Sequence, residues 1–223
     1  MKKTTIAILL IFIMVSCKIK VNTEIYSSDI VKMVKSNKNG NYLYTRINVE
    51  AGEEYRERLT KILSSYFSDI QFLKTEGSGS LNSVLVYKSK TAIIVTNGDE
   101  YKTDDSMINF YTSSKGSNYN LGINIKGNMY DSLMTKINEE FSSTVELGEL
   151  SLEITFVNDL GHEIELTPHL VEVDNVPFPF EKQIKLENRD KITISIPLFM
   201  KKYIKVNEEL NFLKFKSWNI IGS

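Results

Sequence analysis

Cysteine occurs once in this chain of 223 residues, at position 17. An intramolecular disulfide and a cluster of cysteine ligands around a metal ion are therefore both excluded. Without a covalent cross-link, the folded state must be stabilised by an apolar core. Hydrophobic residues make up 42% of the chain, which at this length is enough to build one.

The first 17 residues are laid out as a secretory signal. Lys2 and Lys3 precede ten uncharged apolar residues at 6–15, and Ser16 and Cys17 close the segment. A helix needs about 20 apolar residues to span a bilayer, so a permanent transmembrane helix is disfavoured. We expect residues 1–16 to be cleaved.

The end of this segment, Met14-Val15-Ser16-Cys17, resembles the lipobox of bacterial lipoproteins, with methionine where leucine is commoner. The resemblance implies transfer of diacylglycerol to the Cys17 thiol, cleavage before Cys17, and acylation of the new amino terminus. Two or more acyl chains hold a protein stably at a bilayer. An ordinary cleavable signal with a chance cysteine is the alternative. Lys18 departs from the aspartate of the inner-membrane retention signal, which implies the outer membrane in a Gram-negative host.

Two further stretches resemble a family of uncharacterised lipoproteins of bacteria and their mobile elements. They are the mature start, 17–30, and the sequence Val-Asp-Asn-Val-Pro-Phe-Pro at 173–179. The resemblance implies location and fold and assigns no activity to any residue.

The charge balance argues against a nucleic-acid partner. Loss of Lys2 and Lys3 with the signal lowers the 27 basic side chains to 25, against 28 acidic ones. Binding of phosphates needs clustered lysine and arginine, which this balance does not supply. We expect instead a membrane reached through Cys17 and an envelope protein as partner.

Residues 17–148 combine helical and strand-like patterns. Helices are predicted after Ser27-Ser28-Asp29, over Glu53–Phe67, and through Met129, Leu133, Ile137 and Phe141. Strands are predicted over Asn41–Glu50, on each side of a turn at Ser89-Lys90 between Leu81 and Val95, and as an antiparallel pair over 107–112 and 119–125.

From residue 149 onward the pattern consists of short alternating strands separated by turn residues, which favours a small β-sandwich. Pro177 is expected at a strand edge, and 198–204 is ambiguous between helix and strand. The prediction is therefore an α+β fold: a cleaved signal at 1–16, a mixed sheet with about three helices at 17–148, and an all-β sandwich-like half at 149–223.

No pattern in the chain predicts a catalytic, cofactor or metal site. His162 and His169 are seven residues apart, so on one strand they point to opposite faces. Gly77-Ser78-Gly79 lacks the residues of a phosphate loop. The acidic run Asp99, Glu100, Asp104 and Asp105 does not match a calcium-binding loop, and a solvated loop is favoured.

Tyrosine is the residue type that best suits a binding surface, because it combines apolar area with a polar tip. The alternative is that most of these side chains line the core with their hydroxyls at its rim. The tyrosines concerned are Tyr42, Tyr44, Tyr55, Tyr66, Tyr87 and Tyr101.

The leading hypothesis is a lipid-anchored, non-enzymatic interaction protein of the cell envelope, without cofactor. An envelope enzyme or ligand binder with a site between the two halves is the alternative, and a phage or plasmid exclusion lipoprotein is a third hypothesis. A cleft with converging histidine or acidic residues favours the second, whereas a flat aromatic patch favours the first.

Overall fold

The computed structural model describes residues 18–36, 41–77, 83–96, 105–141, 150–207 and 209–217. The helices in these ranges are α1 (Ser27–Ser36), α2 (Arg56–Leu63, after a 3₁₀ turn at Glu53–Tyr55), α3 (Gly127–Phe141) and α4 (Leu198–Asn207). The strands are β1 (Ile19–Tyr26), β2 (Asn41–Glu50), β3 (Ser68–Glu76), β4 (Val84–Val95), β5 (Ile108–Lys115), β6 (Asn118–Ile125), β7 (Leu150–Val157), β8 (Ile164–Pro168), β9 (Val171–Val173), β10 (Val176–Phe178), β11 (Ile184–Leu186), β12 (Lys191–Ser195) and β13 (Glu209–Lys216).

These 13 strands form one mixed sheet. Its order is β10-β9-β12-β7-β1-β2-β4-β5-β6-β13-β8-β11, and β3 pairs with β4 beside this path. The pairs β1–β7 and β4–β5 are parallel, and the other described pairs are antiparallel. The first and last described strands, β1 and β13, therefore both lie inside the sheet.

The sheet curls until distant strands face each other across the core. Five strands lie between β7 and β13 in the sheet order, yet the rings of Phe156 and Phe215 have centroids 5.4 Å apart. Both side chains are almost completely buried. The side-chain amide of Asn158, after β7, donates to the carbonyls of Leu186 and Glu187, at the other end of the strand order. One core is thus enclosed by one curved sheet.

The predicted α+β class, with a helix-containing N-terminal sheet followed by a separate sandwich-like half, is wrong. β1 runs parallel to β7 along its whole length, from Ile19 opposite Leu150 to Tyr26 opposite Val157. β13 pairs with β6 from the first half. Alternation reveals that a strand exists but not its partner, so the later strands extend the first sheet into a mostly β fold. The domain division at 148/149 stays a prediction, because 142–149 lies outside the described residues.

Several elements confirm the sequence patterns. β2 has the predicted bounds, α1 has ten residues, α3 contains the predicted apolar stripe, and β5 and β6 form the predicted antiparallel pair. Pro177 lies in β10, the edge strand at one end of the sheet order, where its missing N–H costs least.

Two local predictions are wrong. β4 is a single 12-residue strand without a turn at Ser89-Lys90, because both residues are paired with β2, opposite Thr45 and Tyr44. The helix predicted over Glu53–Phe67 reduces to a 3₁₀ turn and the eight-residue α2.

Helix α1 is capped by a residue remote in sequence. The Asp159 carboxylate, after β7, accepts hydrogen bonds from the backbone N–H of Ser28 at 2.8 Å and from its hydroxyl at 2.6 Å. Ser27 adds a third hydrogen bond at 3.1 Å. Partial burial raises the pKa of Asp159, but these hydrogen bonds outweigh it and hold the pKa below its ordinary value. The carboxylate satisfies helical N–H groups that otherwise lack partners.

Candidate functional site

A row of threonines links three neighbouring strands, two of which carry the exposed tyrosines. Thr23, Thr45 and Thr91 lie on neighbouring strands and are almost completely buried. The hydroxyls of Thr23 and Thr45 are 2.9 Å apart, and those of Thr45 and Thr91 are 2.6 Å apart. Because side chains alternate along a strand, the residues on either side of each threonine face outward.

The outward side chains of these strands form a surface that we call the tyrosine face: Tyr26, Tyr42, Tyr44, Lys88 and Lys90. Tyr42 and Tyr44 on β2 are 52% and 59% exposed, and Tyr26 at the end of β1 is 38% exposed. The Lys88 Nζ atom lies 3.6 Å from the centroid of the Tyr44 ring, in cation–π geometry. The face therefore combines aromatic rings with lysines, and the exposed Glu24 carboxylate beside it accepts a hydrogen bond from the Tyr26 hydroxyl.

An ion pair and a shallow depression border this face. Lys90 Nζ lies 2.8 Å from a carboxylate oxygen of Asp69, and this hydrogen bond lowers the pKa of Asp69 and raises the pKa of Lys90. Both groups are charged at neutral pH. The depression has a volume of about 200 Å³ and is lined by Tyr44, Asp69, Gln71, Lys88, Ser89 and Lys90.

The remaining tyrosines of the predicted group belong to the core or its rim. Tyr66 and Tyr87 are buried, with their hydroxyls bonded to Ser132 and to the Arg56 carbonyl. Tyr55 is half-buried against Phe141, with ring centroids 4.5 Å apart. Tyr101 lies outside the described residues. The sequence pattern alone did not separate these tyrosines from Tyr42 and Tyr44.

A second surface, which we call the polar cleft, lies on the outside of the sheet over β5, β6 and β13. It has a volume of about 550 Å³, within the size range of small-molecule sites. Its lining residues are Thr96, Tyr111, Ser113, Asn120, His169, Glu181, Glu209, Asn211, Leu213 and Lys214. Sequence reasoning missed it because its residues come from six separate segments.

The floor of the polar cleft is the ring of Tyr111, which lies flat on the neighbouring strand. Tyr111 on β5 is opposite Gly122 on β6, and a Cβ atom at position 122 would be 2.1 Å from the Tyr111 Cζ atom. Burial, with a contribution from the Glu209 carboxylate, raises the pKa of Tyr111 well above its ordinary value. Its hydroxyl therefore keeps its proton at neutral pH.

The wall of the polar cleft brings His169 beside an ion pair. Lys214 Nζ donates to a carboxylate oxygen of Glu181 at 2.6 Å, and this bond, with His169 nearby, lowers the pKa of Glu181. The hydroxyls of the lining are bonded elsewhere: Thr96 donates to the Thr112 carbonyl and Ser113 accepts from Asn120. The arrangement offers hydrogen bonds to a polar ligand.

The two histidines lie at opposite ends of β8, roughly 20 Å apart along the chain. His162 Nδ1 is 3.1 Å from the Leu160 carbonyl oxygen, and Nε2 is 3.1 Å from the Ser217 hydroxyl. Because a carbonyl only accepts, Nδ1 carries a proton, and in the neutral ring the Ser217 hydroxyl donates to Nε2. His162 thus ties the loop after β7 to the end of β13, as a structural residue.

Cys17, the predicted lipidation site, lies outside the described residues, as do Asp99, Glu100 and Asp104. Within the described part of the chain, no group of three or more His, Cys, Asp or Glu side chains is placed to hold a metal ion. None of the helices in those ranges is both long and apolar enough to cross a membrane.

Comparison with known proteins gives a single finding. A family model described as Domain of unknown function (DUF7424) matches residues 19–208, which is most of the chain and nearly all of the curled sheet. No curated protein and no solved structure matches the chain.

Proposed function

We propose that this chain, which belongs to the DUF7424 family, is a lipid-anchored, non-enzymatic protein of the cell envelope that binds a partner protein through its tyrosine face. The observation that carries the proposal is the exposure of Tyr42 and Tyr44 at the centre of the sheet. Two large aromatic side chains held outward on a fixed backbone supply contact area at little entropic cost, since a tyrosine has only two χ angles.

The geometry of the face suits a protein partner. Tyrosine is enriched at protein interfaces, and the depression beside Tyr44 can receive a side chain of the partner. The Lys90–Asp69 ion pair at the border of the depression presents a positive and a negative charge. It can therefore set the orientation in which the partner protein docks and the rate at which the two proteins associate.

The anchor is tested by mass spectrometry of the protein extracted from membranes. We expect the mature chain to begin at Cys17 and to carry the mass of diacylglycerol and an amide-linked acyl chain. A Cys17→Ser variant should carry no acyl mass and should be held by the membrane fraction more weakly than the unchanged protein. An unmodified thiol on a secreted product, or an intact leader on a cytosolic one, contradicts the anchor.

The partner is tested by photo-crosslinking in living cells, with a benzophenone side chain at position 44. We expect one discrete adduct with an envelope protein, and we expect Tyr42→Ser to weaken it. The matched control is a benzophenone at position 180, where Phe180 is 80% exposed but lies outside the tyrosine face. Equal adducts from both positions, or none from position 44, would overturn the proposal.

A second candidate function, binding of a small polar ligand, is favoured by the polar cleft. His169, Glu181 and Glu209 come from beyond residue 149, and Tyr111 and Asn120 come from before it, so the cleft draws on both parts of the one curved sheet. Replacement of Asn211 by Leu should abolish such binding and leave the crosslink from position 44 intact. The two functions are therefore separable by experiment.

A further inference from the structure

Helix α4 carries an apolar stripe on its exposed side, which we call the α4 stripe: Phe199, Tyr203 and Val206. Their spacing of four and three residues places them on one helix face, and they are 58%, 50% and 80% exposed. The opposite side of α4 is buried through Met200 and Ile204. The helix is therefore apolar towards the core and apolar towards the outside.

The charges of α4 are all positive. The helix contains three lysines and no acidic residue. Lys202 is exposed and lies beside the α4 stripe, one turn from Phe199. Lys205 pairs with Asp131 of α3 at 2.5 Å, and Lys201 is buried and donates to the Leu150 carbonyl at 2.5 Å. A short helix with exposed aromatics and flanking lysine resembles the surface that interfacial helices present to lipid headgroups.

The contact made by Lys201 also locates α4 relative to the chain start. Leu150 is the first residue of β7 and lies opposite Ile19, the first residue of β1. The backbone N–H of Ile196, just before α4, donates to the Leu152 carbonyl at 3.1 Å. Helix α4 therefore lies at the end of the sheet where β1 begins, and Cys17 precedes Ile19 by two residues in the sequence.

We infer that the α4 stripe docks into the headgroup region of a lipid bilayer and holds the body of the protein in one orientation on the membrane. The inference rests on the proposed lipid anchor, because the anchor places a bilayer at this end of the sheet. Acyl chains attach the protein to the membrane at one point and leave its body free to rotate about that point. A second contact through Phe199 and Tyr203 prevents this rotation.

This orientation places the tyrosine face away from the lipid. In the β1–β2 pair, Ile19 is opposite Val49 and Thr23 is opposite Thr45. Tyr42 and Tyr44 therefore lie towards the other end of β2, several residues beyond the membrane-proximal end. A strand rises about 3.3 Å per residue, so Tyr44 is roughly 17 Å further along β2 than Val49.

The test is sedimentation with lipid vesicles of the chain that starts at Lys18, which contains every described helix and strand and lacks Cys17. The vesicles contain phosphatidylglycerol and phosphatidylethanolamine at about 1:3. We expect binding that falls at least about tenfold in a Phe199→Ser/Tyr203→Ser variant, since two aromatic side chains leave the interface. Lys202→Glu should weaken binding to these vesicles and have less effect with phosphatidylcholine alone.

The matched control is Tyr42→Ser/Tyr44→Ser, which removes aromatic side chains of similar exposure at the other end of the sheet. This control should bind vesicles as the unchanged chain does. Equal binding by both double variants would overturn the inference, as would absence of vesicle binding. A dimer that the Phe199→Ser/Tyr203→Ser variant dissociates, detected by sedimentation equilibrium, would assign the stripe to a second copy and overturn it too.

The outcome is independent of the test of the anchor. Vesicle binding by a chain without Cys17 supports the α4 contact even if mass spectrometry finds no acyl chain. Conversely, if mass spectrometry finds the acyl chains but the chain without Cys17 does not bind vesicles, the anchor is supported and the α4 contact is contradicted.

Discussion

Tyr44 and Tyr111 are the same residue type on the outside of the same sheet, yet one stands out into solvent and the other lies flat. Tyr44 on β2 is opposite Lys90, and Tyr111 on β5 is opposite Gly122. Lys88, two residues before Lys90 on the same face of β4, lies against the Tyr44 ring, whereas Gly122 leaves the space across its strand pair to the Tyr111 ring itself. The side chains of the neighbouring strand therefore decide whether a tyrosine is available to a partner.

The largest effect expected from this comparison is that of Gly122→Ala. The added methyl group would collide with the Tyr111 ring, so we expect the free energy of unfolding to fall by about 1–3 kcal/mol. Urea denaturation measures it. In a Tyr111→Ala background the same change should cost less than about 0.5 kcal/mol, because the two residues are coupled.

A matched glycine provides the control for this prediction. Gly52 has φ of −68°, which alanine adopts freely, and the three atoms nearest to a Cβ there all belong to the flexible Glu54 carboxylate. Gly52→Ala should therefore not lower stability, and we expect a gain of about 0.4–1 kcal/mol because alanine reduces the conformational entropy of the unfolded chain. A loss at Gly52 as large as that at Gly122 would show that the cost at Gly122 does not come from the Tyr111 ring.

An intermediate effect is expected on the alkaline side of the pH–stability curve. Burial raises the pKa of Tyr111 in the folded protein, so above pH 10 the unfolded chain releases this proton first. The contribution to stability is complete below the ordinary pKa of about 10 and is lost as pH rises from there towards the folded pKa. The slope from this one group is at most about 1.4 kcal/mol per pH unit.

Urea midpoints between pH 8 and 11 measure this slope, and Tyr111→Phe should flatten it. Tyr87 and Tyr119 also have pKa values raised by burial, so we expect part of the slope to remain. An unchanged slope in Tyr111→Phe would mean that the flat ring keeps its hydroxyl in water.

The smallest effect is expected for Lys88→Ala, which removes the cation from the Tyr44 ring. Exposed cation–π contacts contribute about 0.5–1 kcal/mol, and we expect a loss at the lower end of this range in thermal or urea unfolding. Lys115→Ala is the control, because Lys115 is an exposed lysine at the end of β5, away from Tyr44. If the two variants unfold alike, Lys88 does not support the upright ring.

The sequence predicted the individual elements better than their assembly. Alternation over Asn41–Glu50 gave the bounds of β2, and the caps and apolar spacings gave α1 and α3. Alternation says nothing about partners, so the parallel pairing of Ile19 with Leu150 was not predictable. The cap of α1 shows the same limit: Ser27 and Ser28 suggested a local cap, and the carboxylate comes from Asp159.

The candidate sites were predictable only in part. Tyr42 and Tyr44 were identified as surface candidates together with Tyr66 and Tyr87, which are buried, because residue type does not report the face of a strand. The α4 stripe left a detectable signal, since Phe199, Tyr203 and Val206 recur at helical spacing. It was missed because 198–204 was not assigned to a helix. The polar cleft left no signal, since its residues meet only through the sheet.

The interior placement of β1 and β13 bears on how the chain is made. The first described strand, β1, acquires one of its two neighbours, β7, only after about 130 more residues have been synthesised. Until then the free edge of β1 exposes unpaired backbone N–H and C=O groups, which can pair with strands of other chains. Pairing between strands that are far apart in sequence slows folding. A chain that is exported across a membrane before it folds would therefore depend on chaperones that bind this edge.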